Sequence, residues 1–226
     1  MANRVVMAFS VVALSATSVF GHGDVAPQPV NTEALPDVGD EWLIENPYRA
    51  MGEEVWSEAV RIGASGYNQN CARCHGLEVI SGGLAPDLRY LEAEEYGDEW
   101  YVERFRYGYT QNGITKMPAF DELLGQKAAW AIRTYIEARP DDGALDDVTP
   151  RLKEIRDALV SIETGGAGDV SALQVELAQI ASGVETGSGA PVADSAPFRA
   201  AKYLAAEAVD VKSAHEALTI GLSAAQ

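Results

Sequence analysis

The chain has 226 residues, 17 basic against 34 acidic, a formal charge of −17 and 47% apolar residues. That is room for one ordinary domain with substantial additions, and so negative a charge, with no basic patch within it, excludes phosphate-rich partners such as DNA, RNA and anionic lipid headgroups. Two cysteines, Cys71 and Cys74, are too few for a disulfide-rich scaffold or a four-cysteine zinc site.

Arg4 is the sole charge ahead of an apolar run that ends at Phe20 and the small residue Gly21. The pattern predicts a secretory signal over residues 1–21, cleaved after Gly21, and a periplasmic protein. Ser10, Ser15, Thr17 and Ser18 interrupt the run, leaving it short of the ~20 apolar residues a membrane span needs. Residues 22–45 hold six carboxylates, no Lys or Arg, and prolines at 27, 29 and 36, which predicts an extended acidic arm outside any packed core. Between 46 and 140 the charge is nearly balanced, 10 basic residues against 14 acidic, and Trp56, Trp100 and Trp130 supply apolar bulk; this is the expected globular core. Residues 141–226 carry 6 basic against 14 acidic residues and no Trp, and read as a separate helical annex.

Within the core, Val55, Ala59, Ile62, Gly66 and Tyr67 share one helical face. That helix runs into Cys71-Ala72-Arg73-Cys74-His75. A C-x-x-C-H run sets two thiols one turn apart, each placed to add to a vinyl group of a haem, and delivers the next imidazole to the iron from the same face. A zinc ribbon would need a second C-x-x-C, and a thioredoxin-type pair would need a strand before the first Cys where this sequence is helical. The reading is one covalent haem c held by Cys71 and Cys74, with His75 on the iron.

Further along, Trp100, Tyr101 and Phe105 read as a short helix capped by Asp98 and stopped by Gly108, its aromatics walling the cofactor. Leu124, Ala128, Ile132, Tyr135 and Ile136 form a second apolar stripe, on a helix expected to start with Asp121 as its cap and to end at Pro140. For a sixth iron ligand the choice is short. Met1 and Met7 leave with the signal, Met51 precedes the motif, and Met117 in the loop 113–118 is the only Met after it. His22 and His215 fall in the arm and the annex and read as solvent-facing. Cleavage after Gly21 would make His22 the new N-terminus, where amine and imidazole can chelate a divalent metal, with no third nitrogen identified.

The spacing Gly63-x-x-x-Tyr67-x-x-x-Cys71-x-x-Cys74-His75 resembles that of the class I c-type cytochromes, and Ile132 with Tyr135 match the aliphatic and aromatic that this family places on its C-terminal helix. The resemblance implies an all-α class I cytochrome c fold around one haem, in which Gly63 lets the first helix touch the last. It makes Met117 the distal ligand, and Pro86 the residue whose carbonyl accepts a hydrogen bond from Nδ1 of His75. Gly82-Gly83 then suits a loop folded over the ring edge. With both axial positions filled, the implied function is one-electron transfer, not catalysis.

The stretches Gly63–Glu78 and Ser81–Arg89 are also similar to the periplasmic cytochromes of the PedF type, which accept electrons from PQQ-dependent ethanol dehydrogenase, and more loosely to the acidic cytochromes cL used with methanol dehydrogenase. That resemblance covers residues 46–139 and implies a quinoprotein alcohol dehydrogenase as donor and a downstream cytochrome or oxidase as acceptor, with Arg73 and Lys116 as rim charges around the haem edge. The alternatives are a five-coordinate haem sensor or peroxidase-like protein, should Met117 not bind iron, and a carrier in another pathway such as sulfur-compound oxidation.

In the annex, Thr149-Pro150 opens a helix with Leu152, Ile155, Leu159 and Ile162 in register, Gly165-Gly166 breaks it, and Val170, Leu173, Leu177, Ile180 and Val184 repeat the pattern. The expectation is an antiparallel hairpin followed, after the linker 187–191, by one Ala-rich helix from about 197 to 222. Nothing in it suggests catalysis.

Overall fold

The computed structural model describes residues 27–224; the predicted signal and His22 lie outside the described residues. Helix α1 (Glu53–Asn70) leads into the single turn α2 (Ala72–His75), followed by α3 (Glu95–Tyr107), strands β1 (Tyr109–Gln111) and β2 (Ile114–Met117), and α4 (Asp121–Glu137). The annex contains α5 (Thr149–Glu163), α6 (Val170–Ser182), α7 (Ala196–Ala205) and α8 (Val211–Ala224). This is the mostly helical architecture expected of a class I cytochrome c fold. Among the described residues no helix is long and apolar enough to cross a membrane.

The first core forms where α1 crosses α4. Both apolar stripes turn inward: Ala59, Ile62 and Tyr67 from α1, and Ala128, Ile132, Tyr135 and Ile136 from α4, are buried. A Cβ added at Gly63 would collide with the Ala131 carbonyl and stand 2.9 Å from Cβ of Tyr135, and one at Gly66 would stand 2.9 Å from Cγ1 of Ile132. The two glycines therefore set how closely the helices approach, and Tyr67 meets Tyr135 with ring centroids 5.4 Å apart.

Helix α3 begins earlier than its aromatics suggest, with Glu94 as the residue before it. Asp98 is not its cap: its N–H already donates to the Glu94 carbonyl at 2.9 Å, within the helix. Its fully buried carboxylate instead takes Arg49 at 2.6 Å and Arg133 at 2.8 Å, and Arg49 also reaches the buried Glu137 at 2.6 Å. Two buried carboxylates opposite two guanidiniums are the arrangement that a low-dielectric interior tolerates. Asp121 also differs from expectation, being the first residue of α4, with Phe120 at the cap position. Helix α4 ends at Glu137, three residues before Pro140.

Residues 27–46 contain no helix or strand, as their prolines predict, yet they are not detached from the core. Leu35 is buried, and its carbonyl accepts from Nζ of Lys127 at 2.7 Å. Gln126 donates to the carbonyls of Gly39 and Glu41, and Asn70 accepts from the Gln28 N–H. Side chains of α1 and α4 satisfy the arm's backbone, so an extended segment packs without a sheet.

The annex has a second apolar cluster, built on Leu152, Ile155, Leu159, Leu177, Leu204, Leu218 and Leu222. Its order departs from the expected hairpin. Helix α5 packs on α8, α6 on α7, and α7 on α8, while α5 and α6 are tied by the ion pair of Arg151 with Glu176 at 2.6 Å. The single third helix is two. The chain turns extended at Ala206, and Asp210 accepts from the Ser213 N–H at 2.9 Å, the hydrogen bond of a helix start.

Candidate metal centre

Cys71 closes α1, and Cys74 and His75 follow on the turn of α2, with the N–H groups of Cys74 and His75 both donating to the Cys71 carbonyl at 3.1 and 3.0 Å. The continuous helical path from α1 fixes where the thiols stand. Burial, with Cys74 alongside, pushes the Cys71 thiol up to about 12, so its sulfur is a neutral group in apolar surroundings. His75 is buried, and burial lowers its pKa against the opposing pull of the Pro86 carbonyl and Asp87. Nδ1 of the neutral ring lies 2.9 Å from the Pro86 carbonyl oxygen. A carbonyl only accepts, so Nδ1 carries the proton and Nε2 is left with a lone pair for a metal.

Two further features shape this turn. Gly76 adopts φ +87°, where a Cβ would strike the Ile80 carbonyl, and its own carbonyl accepts from the Tyr67 hydroxyl at 2.9 Å. The sequence singles out Tyr67 as packing and not as a donor, and the only local signal for Gly76 is a glycine directly after the histidine. Beyond it, Glu78 and Val79 are both left-handed, at φ 58° and 67°, a conformation that costs about 1–3 kcal/mol per residue.

The Pro86 carbonyl stands against His75. Asp87 caps the turn Leu88–Tyr90, accepting from the Arg89 N–H at 3.1 Å and pairing with its guanidinium at 2.7 Å. Gly82 and Gly83 have open space around them and make no tight approach.

Met117 ends β2, half-buried against the first core. The predicted loop around it is an antiparallel hairpin, turned at Asn112-Gly113 with both residues at positive φ, as a two-residue hairpin turn requires. Gly108 precedes β1 at φ +67°, against the Met117 carbonyl. Tyr101 and Phe105 are buried, Tyr101 donating to the Ala129 carbonyl at 3.0 Å and Phe105 lying 5.6 Å from Phe120. Arg73 and Lys116 are exposed. His215 is held by Glu163 at 2.7 Å on the annex, and nothing brings it to this site.

The donor set fits a covalently attached haem: two thiols and an imidazole with an oriented free nitrogen on one turn. Leu77 and Leu84 after the motif and Ile114 on the hairpin are exposed, apolar side chains suited to lie against an apolar macrocycle. Among the described residues no group of three or more His, Cys, Asp or Glu side chains is arranged to hold a metal ion by itself.

Residues 58–136 match the family described as cytochrome c oxidase, cbb3-type, subunit III. The chain is 49% identical over 138 residues to cytochrome c550 of Pseudomonas aeruginosa, covering 60% of this chain and 94% of that one. It is 31% identical over 116 residues to the quinohemoprotein alcohol dehydrogenase ADH IIB of Pseudomonas putida, and 30% over 84 residues to ADH-IIG of the same organism. Half of this chain or less is involved there, spanning 14% and 11% of those two proteins. No solved structure matches.

Proposed function

The chain belongs to the c-type cytochromes, and from that premise we propose that it is a periplasmic one-electron carrier with His75 and Met117 as axial ligands, accepting electrons from a PQQ-dependent alcohol dehydrogenase. Being an electron-transfer protein with covalent haem c, it is not an enzyme. The haem supplies a one-electron change at its iron when bound. Cys71 and Cys74 would hold it through thioethers, and His75 would take one axial side through Nε2.

The observation that carries this reading is the 2.9 Å contact of His75 Nδ1 with the Pro86 carbonyl. That bond fixes the tautomer and the ring plane, and strengthens Nε2 as a donor. Met117 is the remaining thioether in the core's second half, and a Met/His pair sets a higher potential than a His/His pair, as suits the oxidising side of a dehydrogenase. Support for the donor comes from the likeness to the two quinohemoprotein alcohol dehydrogenases. Electrons would leave to a downstream cytochrome or oxidase, with exposed Arg73 and Lys116 at the contact rim.

Mass spectrometry of the exported protein is expected to find cleavage after Gly21 and one added haem, and Met117→Ala is expected to abolish the sulfur-to-iron charge-transfer band. A purified PQQ-dependent dehydrogenase with ethanol or methanol should reduce the protein directly. No reduction with either substrate would remove the donor assignment, and an unchanged band in Met117→Ala would remove the ligand.

A further inference from the structure

The loop that follows His75 is held from outside the part of the chain that the cytochrome family covers. Glu78 and Val79 take successive left-handed conformations, and a buried β-branched residue does so only when its surroundings impose it. The carboxylate of Glu78 pairs with Arg139, beyond the end of α4. Arg139 is itself buried, lies over the Tyr135 ring at 5.2 Å, and donates to both the side chain and the backbone carbonyl of Asp194 at 2.8 Å. Asp194 also takes Arg199 at 3.2 Å. Nε of Arg139 has no partner, so its hold rests on these contacts.

Asp194 ends a strap, residues 184–194, that joins α6 to α7 and is stitched along the end of α4. The Asp141 N–H donates to the Glu185 carbonyl, the Ser188 hydroxyl to the Glu137 carbonyl, and the Ala193 N–H to the Ala138 carbonyl, at 3.0, 2.5 and 3.1 Å. The same strap grips the other end of the haem loop. The Ser188 backbone carbonyl accepts from the Ala93 N–H at 2.9 Å, and Gly187 lies so close to Tyr90 that an added Cβ would stand 2.7 Å from its ring. Arg89 and Tyr90 are both bonded to Asp142. The loop carrying Pro86, whose carbonyl orients His75, is thus tethered at Glu78 and again at Arg89–Ala93.

We propose that Arg139 is a positioning residue through which the strap of the annex sets the plane of the His75 ring. The family match covers residues 58–136, and Arg139 and the strap lie beyond it. The proposal rests on His75 being the proximal ligand.

The test uses full-length holoprotein carrying Glu78→Ala, Arg139→Leu or Arg139→Lys, with Asp210→Ala, in the cap of α8, as a control for annex destabilisation. The readouts are haem mass, midpoint potential and the electron paramagnetic resonance g values of the low-spin ferric form, which report axial ligand geometry. Glu78→Ala and Arg139→Leu should change the g values in the same sense, the double variant no further, and Arg139→Lys should restore part of the change. The potential should shift with the g values, by at least a threefold change in the reduced-to-oxidised ratio, about 28 mV at 59 mV per decade. Unchanged g values in Glu78→Ala, whose carboxylate is partly exposed and whose loss the fold should survive, overturn the proposal even if Arg139→Leu fails to fold. Opposite shifts in potential with constant g values, the mark of simple charge removal, overturn it too, as does an equal change in Asp210→Ala. Loss of covalent haem or of the low-spin signature in the unsubstituted protein would instead defeat the reading of His75 on which the proposal stands.

Discussion

The carbonyl oxygen of Ala131 occupies the space where a side chain on Gly63 would begin. Two helices whose contacting residues stand 68 positions apart in sequence therefore touch backbone to backbone at this point, and the turn bearing Cys74 and His75 continues directly from one of them. Gly63→Ala should force α1 and α4 apart, at a cost of about 1–3 kcal/mol for overpacking. Denaturant unfolding of the holoprotein measures the loss, and an unchanged midpoint would mean that the crossing can slide without penalty.

Asp98 sits between Arg49 and Arg133 with no exposure of its own. Removing one member of a buried ionic cluster leaves the others uncompensated, so Asp98→Ala should destabilise by about 3–5 kcal/mol. The same substitution at exposed Glu103, which pairs with Arg104, should cost no more than about 1 kcal/mol. Thermal melts of the two variants side by side would show the contrast.

Gly76→Ala should impair the site more than the fold. Its φ of +87° and the nearby Ile80 carbonyl leave no room for a methyl group, and the displaced turn would carry His75 with it. The expected result is a lower yield of covalently loaded protein at unchanged helical content by circular dichroism.

The pH dependence has a definite sign at Asp87. Burial pushes its pKa up, but the hydrogen bonds and charge of Arg89 outweigh that and hold it below the ordinary carboxylate value. A depressed carboxylate stabilises the fold at every pH above its unfolded pKa, and that contribution disappears as pH falls through the folded value. Asp87→Asn should therefore lower the melting temperature by a constant amount from neutral pH down to about pH 4, with the gap closing in more acidic solution. A gap that persists there would assign the effect to the cap alone.

The haem-binding motif and the two apolar stripes are legible because each is encoded at short, fixed spacing: a thiol every helical turn, an apolar side chain every three or four residues; the Gly63 contact is implied only by the family resemblance. Prolines in the arm likewise announce the lack of helix there. Asp98 illustrates the limit. Beside an aromatic helix it reads as a cap, and its true partners are 49 and 35 residues away, a distance at which local pattern carries no information. The annex shows the same thing, since its heptad-like spacing identifies apolar faces without saying which face meets which, and adjacent α5 and α6 each found another main partner. By itself, then, the sequence determined the cofactor chemistry and the helical periods, which depend on covalent spacing. The tertiary structure alone decided the buried ion cluster, the packing of the arm and the grip of Arg139 on Glu78 and Asp194, because charges distant in the chain pair only once the topology has removed the water between them.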